Sequence, residues 1–255
     1  MALTDKLTAI GDAIREKTGS TAKLTLDQMV DEIEGISGGG VNEAEIGLLE
    51  GGLESYTNDR VTTVGKYSFY NSTVKHVSFP NATAIGNSAF QKCANLLTID
   101  VPNVNNLQSG GIFKECTSLT SISLPKVKSV NSGGSMFATC TSLVDVDLPI
   151  VADLGSMSCF QGCTALKKLD LPSATAISGG TVFSGCTSFE TLILRNTTNI
   201  VTLSGSNNFT NTVIAAGTGS IYVPDDLVES YKAATNWATY ADQIKPLSEY
   251  VEVTE

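Results

Sequence analysis

The sequence predicts a repeat solenoid, a right-handed coil with a parallel β-sheet on one face and short helical turns on the other. Three spacings predict it. Phenylalanines fall at 69, 90, 113, 137, 160 and 183, prolines at 80, 102, 125, 149 and 172, and cysteines at 93, 116, 140, 163 and 186. Three residue types sharing one period of 21–24 residues mark a single unit copied along the chain. A unit this short cannot bury an apolar face alone, so successive units must stack.

Six units span residues 61–200, and the first lacks the cysteine. Val104–Lys126, VNNLQSGGIFKECTSLTSISLPK, is typical. Its segment Leu119–Leu124 alternates from Thr120 onward and ends at Pro125. That is a short strand closed by a residue with no amide hydrogen for the ladder. Leu119, Ile122 and Leu124 point inward, and Ser121 and Ser123 point outward. The Phe-x-x-Cys stretch forms a short helical turn on the opposite side and drives Phe113 into the core. Gly-Gly pairs at 110–111, 133–134 and 179–180 suit tight turns between the two sides.

The pattern I-G-x-x-A-F-x-x-C-x-x-L-x-x-I-x-V-P at Ile85–Pro102 resembles the bacterial BspA-like (Treponema-type) leucine-rich repeat. The next unit departs from it by placing Gln108 where the best match has Gly86. The resemblance covers roughly residues 61–200 and implies a leucine-rich-repeat coil. The family serves mainly as a binding or adhesive scaffold, in gut Firmicutes or their phages.

The ends have a different character. Leu3, Leu7, Ile10 and Ile14 share one helical face. Thr25–Gln28 is a capping box, followed at helical spacing by Met29, Val30 and Ile33. Residues 1–36 therefore read as a helical hairpin, residues 37–40 as a glycine linker and residues 41–60 as an opening strand or hairpin that shields the first coil. The segment LTAIGDAIREKTGSTAKLTLDQMVDEIEGI resembles a module at the start of structural and tail-associated proteins of phages and prophages. That resemblance implies attachment to a virion or envelope assembly. The competing reading is a helical cap or an oligomerisation stub.

Residues 201–255 read as the last coil and a C-terminal helical cap. Ile221–Pro224 is a final strand, and Asp225 or Asp226 caps a helix running towards Trp237. This segment resembles the terminal cap that often follows such repeats, with Trp237, the single tryptophan, as its core anchor.

Composition narrows the function. The net charge is −10, yet residues 61–200 carry 9 basic and 7 acidic side chains, so the acid lies at the ends. No basic stripe is present to neutralise phosphates, which argues against nucleic acid as a partner. No apolar run approaches the ~20 residues that span a bilayer, and the charged N-terminus does not read as a classical signal peptide. The predicted location is virion-associated or at the bacterial cell surface.

No enzyme signature emerges. A single histidine, His76, excludes a two-histidine zinc site, and no cofactor motif occurs. The five periodic cysteines form one column in which in-register Cβ atoms stay about 4.8 Å apart, beyond the preferred ~3.8 Å of a disulfide. They read as small buried apolar residues, not as a redox or metal set. Cys159 breaks the period, and its spacing to Cys163 is not a Cys-x-x-Cys motif.

The outward strand positions form two columns. One runs His76, Thr98, Ser121, Asp145, Lys168 and Thr191, and the other Ser78, Asp100, Ser123, Asp147, Asp170 and Ile193. Repeat scaffolds bind through such continuous surfaces. The candidate binding face is therefore His76, Asp100, Ser121, Ser123, Asp145, Asp147, Lys168 and Asp170, for a protein or glycan on a cell surface. The bland reading is polar cover for a sheet. On that reading the protein is a structural spacer or assembly component without a ligand.

Overall fold

The computed structural model describes residues 54–108, 110–130, 134–155 and 157–252. The helical hairpin over 1–36, the linker over 37–40 and residues 41–53 of the opening segment lie outside the described residues; the rest of that segment, 54–60, contains a short strand.

The chain is a parallel β-solenoid of about eight turns. Most turns carry two short strands. The principal column comprises β1 (Ser55–Thr57), β3 (His76–Ser78), β5 (Thr98–Asp100), β7 (Ser121–Ser123), β8 (Asp145–Asp147), β9 (Lys168–Leu171), β11 (Thr191–Leu194), β13 (Ser220–Val223) and β14 (Ile244–Pro246). The second column comprises β2 (Thr63–Val64), β4 (Ala84–Ile85), β6 (Asn106–Leu107), β10 (Ala176–Ile177) and β12 (Thr202–Leu203). Single bridges joining Ser129, Asp153 and Ala176 continue it between β6 and β10. Among the described residues all pairing is parallel, with register offsets that follow the repeat: His76 lies opposite Ser55 and Thr98, and Ser121 opposite Asp145.

Alternation places the side chains as the pattern requires. Leu119, Ile122 and Leu124 are buried, and Ser121 and Ser123 are exposed. The principal column is not one unbroken sheet. It divides into β1-β3-β5, β7-β8 and β9-β11-β13-β14.

Two features differ from the sequence reading. The side away from the principal strands carries no helical element at the Phe-x-x-Cys stretch, which is a run of reverse turns. The residue before each periodic cysteine is left-handed: Lys92 at φ 65°, Glu115 at 65°, Thr139 at 64°, Gly162 at 73° and Gly185 at 78°. A left-handed residue breaks a right-handed helix after one turn. The second strand column also went unforeseen, because two-residue strands are too short to show alternation.

The core is a row of rings. Phe69, Phe90, Phe113, Phe137, Phe160 and Phe183 stack with centroids 5.0–5.9 Å apart and planes within 12° of parallel, and Phe209 extends the row. Beside it runs the cysteine column, buried and free of disulfides. Each thiol donates to the carbonyl of a phenylalanine on the preceding turn: Cys93 to Phe69, Cys116 to Phe90, Cys140 to Phe113, Cys163 to Phe137 and Cys186 to Phe160, at 2.8–3.0 Å. Burial pushes the Cys93 and Cys140 thiols up to about 12. Cys159 is likewise buried and its thiol pushed up by burial, so it is no reactive nucleophile.

Beyond β13 the chain forms a short 3-10 turn, Asp225–Leu227, then helix α1 (Val228–Ala233). No side-chain oxygen caps α1, contrary to the role foreseen for Asp225 or Asp226. The Asp225 carboxylate accepts instead from the Ser248 amide at 3.0 Å, and bonding to Ser248 holds its pKa below the usual value. Trp237 is buried and donates from Nε1 to the Val201 carbonyl at 2.7 Å.

Candidate functional site

The principal strand column determines what the protein presents to solvent. Parallel in-register pairing repeats every outward position at one strand spacing, so side chains from successive turns become neighbours. His76 shares a hydrogen bond between Nδ1 and Thr98 Oγ1 at 2.8 Å. Ser78 donates to Asp100 at 2.8 Å, and one sheet further on Ser123 donates to Asp147 at 2.7 Å. Ser121 and Asp145 lie opposite each other, both exposed. These contacts preset the rotamers of Asp100 and Asp147, each through one carboxylate oxygen.

The face changes character at β9. Asp170 is clamped by Arg195, with Nε at 2.9–3.0 Å and Nη2 at 2.7 Å from its oxygens. That fork raises the guanidinium's pKa above its usual value. Lys168 donates to Glu252 at 3.2 Å and to the Tyr250 hydroxyl at 3.4 Å. Burial opposes the Lys168 charge, but these two partners outweigh it and raise its pKa.

The C-terminal residues therefore return to the strand face. The Tyr250 ring lies 5.1 Å from that of Tyr222 on β13, edge to face. Tyr250 reaches both Lys168 on β9 and Tyr222 on β13, so it crosses β11, which lies between them. Ile193 on β11, the strand that Tyr250 crosses, is buried, although its column places it outward.

The returning segment turns a flat face into a groove of about 910 Å³. Of the candidate residues, the groove gathers Asp145, Asp147, Lys168 and Asp170. It does not gather His76, Asp100, Ser121 or Ser123, which lie on earlier turns of the column. Sequence reasoning missed Tyr222, Tyr250 and Glu252. Tyr222 was within reach, since it extends the Asp170–Ile193 register by one turn. Nothing in the repeat period announces the return of residues 250–252.

Among the described residues no group of three or more His, Cys, Asp or Glu side chains could hold a metal ion, and no helix is long and apolar enough to cross a membrane.

The sequence profile of the BspA type leucine rich repeat region, in six copies, matches residues 54–156 and 109–229. Among solved structures, the chain is similar to a leucine rich repeat protein of T. pallidum at 26% identity, with a TM-score of 0.53 over 62% of this chain and 76% of that one. It is also similar to a leucine rich cell surface protein from Faecalibacterium prausnitzii, at 22% identity and a TM-score of 0.42, over 58% of this chain and 49% of that one. No curated protein matches the chain.

Proposed function

The chain belongs to the BspA-type leucine-rich-repeat family, and from that membership we propose that it is a non-enzymatic binding or adhesion scaffold that recognises a protein or glycan through its principal strand face. The observation that carries this reading is the exposed column of polar side chains, preset by cross-strand bonds such as Ser78 to Asp100 and Ser123 to Asp147. Preset side chains lose little rotamer freedom on binding, which favours recognition over mere solvation. The stacked phenylalanines beneath supply a rigid base.

On this reading residues 201–255 close the solenoid as a cap. Residues 1–36 attach the scaffold to a virion or cell envelope and hold the strand face outward. The resemblance of that segment to phage structural modules supports the attachment role, and a gut-bacterial or prophage source would suit it.

A glycan and protein array tests the scaffold reading. The wild-type chain is expected to be captured by at least one array element. Joint replacement of Asp145, Asp147 and Asp170 by Ala should abolish capture, with circular dichroism verifying the fold. Capture that survives the triple replacement sinks the strand-face assignment, and silence of the wild type across the array favours the spacer reading. Copurification with phage particles, as against bacterial envelopes, tests the attachment of residues 1–36.

A further inference from the structure

The groove narrows the ligand class, an inference that rests on the scaffold reading above. Its floor is the outward face of β8, β9 and β11, and its wall is the returning segment Tyr250–Glu252. At 910 Å³ it falls within the roughly 300–1,000 Å³ of small-ligand sites.

Its chemistry is mixed in a specific way. Lys168 is held by Glu252, and Asp170 by Arg195, so two ion pairs are already neutralised within the protein. Two carboxylates keep free acceptor capacity. Asp147 accepts from Ser123 through one oxygen only, and among the described residues Asp145 accepts from no side chain. Tyr222 and Tyr250 add an aromatic pair at one end, and Val144 and Val251, 52% and 76% exposed, add apolar surface.

An anionic ligand would face Asp145, Asp147 and Glu190. A cationic one would face Lys167, Lys168 being already held by Glu252. An uncharged polyhydroxylated ligand meets neither conflict. Its hydroxyls donate to the Asp145 and Asp147 oxygens and accept from ammonium hydrogens. Its ring C–H faces pack on Tyr222, Tyr250 and the exposed valines. We propose that this groove is a binding site for neutral oligosaccharides, with Asp145, Asp147, Tyr222 and Tyr250 as its contact residues.

The test uses the full chain on immobilised neutral hexose and N-acetylhexosamine oligosaccharides. Sulfated and uronate glycans and Lys/Arg-rich peptides are arrayed alongside. Capture by at least one neutral oligosaccharide is expected. It should weaken tenfold or more in Tyr250→Ala and in Asp145→Asn/Asp147→Asn, and persist in Tyr250→Phe, which keeps the ring. Circular dichroism of each variant separates lost contact from lost fold. Three results overturn the proposal: no neutral oligosaccharide captured, capture unchanged by Tyr250→Ala, or preference for a charged glycan or peptide. If the first of these results is accompanied by capture of a protein through the His76–Asp100 half of the face, this inference falls and the scaffold reading stands.

Discussion

The thiol of Cys140 donates to the main-chain carbonyl of Phe113, 3.0 Å away and one turn earlier in the coil. The bond ties the cysteine column to the phenylalanine row and gives the periodic cysteine a role that valine or alanine cannot fill. It also predicts an alkaline weakness. Burial raises the Cys93 and Cys140 thiols from 9.0 to about 12 in the folded chain. A raised folded pKa contributes stability that is fully present below the unfolded value. It is lost as pH climbs from about 9 towards 12, because only the unfolded chain can release those protons. The urea midpoint should therefore hold steady up to pH ~8.5 and then fall. The fall should be shallower in Cys93→Ala/Cys140→Ala, although that variant is less stable at neutral pH. A parallel fall in both proteins would assign the effect to other groups. At pH 8, before urea is added, none of the six cysteines should react with a thiol reagent.

The phenylalanine row predicts where the coil is most easily broken. Phe137 is fully buried and stacks on Phe113 at 5.5 Å and Phe160 at 5.2 Å. Phe137→Ala removes a ring shared by two interfaces and leaves a cavity that rigid neighbouring turns cannot close. The expected cost is about 3–5 kcal/mol, read from urea unfolding. Stability in a solenoid is carried by nearest-neighbour interfaces, so a mid-row cavity should also lower cooperativity. An unchanged m-value would argue that the turns unfold as one unit regardless.

Two glycines separate crowding from freedom. A Cβ on Gly86 would lie 2.6 Å from the Lys66 amide nitrogen and 2.8 Å from the Gly65 carbonyl carbon, both main chain on the neighbouring turn. Gly86→Ala should cost about 1–3 kcal/mol or more through forced backbone shifts. At Gly180 nothing lies within 4 Å of the added carbon and φ is not left-handed. Gly180→Ala should be neutral or gain about 0.4–1 kcal/mol by restricting the unfolded chain. Thermal melts of the two variants settle the contrast, and equal shifts would refute it.

Sequence and structure agree where one physical constraint repeats. Phenylalanine, proline and cysteine spacing set the turn length, and strand alternation set which of Ile122 and Ser123 faces inward. Less legible was what depends on a single backbone torsion or on distant residues. The left-handed residue before each cysteine is Lys, Glu, Thr or Gly, so no residue type marks it. Gly-Gly pairs gave a partial signal: Gly110 and Gly134 are left-handed, but Gly180 is not. The candidate face was readable from Asp145 to Asp170 because register alone fixes it. Its closure into a groove was not, since Lys168 and Glu252 are 84 residues apart and share no period.

Trp237 and Tyr231 together bind both main-chain polar groups of Val201. The indole donates to the Val201 carbonyl at 2.7 Å, and the Tyr231 hydroxyl accepts from the Val201 amide at 2.8 Å. Both rings are buried and meet edge to face at 5.5 Å, with Phe209 of the core row 6.2 Å from Trp237. Residues after β13 are thus joined to the solenoid by buried hydrogen bonds as well as by packing. Trp237→Phe keeps most of the apolar contact but orphans a buried carbonyl, at a cost of about 1–3 kcal/mol. Tyr231→Phe orphans the amide and should cost a similar amount. Because both bonds meet at one residue, the double variant should cost less than the two single costs added together. The single tryptophan reports on the segment directly. Its emission should be blue-shifted in the folded chain and should shift red at the same urea concentration at which circular dichroism records loss of the coil. An earlier fluorescence transition would show that the C-terminal segment melts away from a solenoid that stands without it.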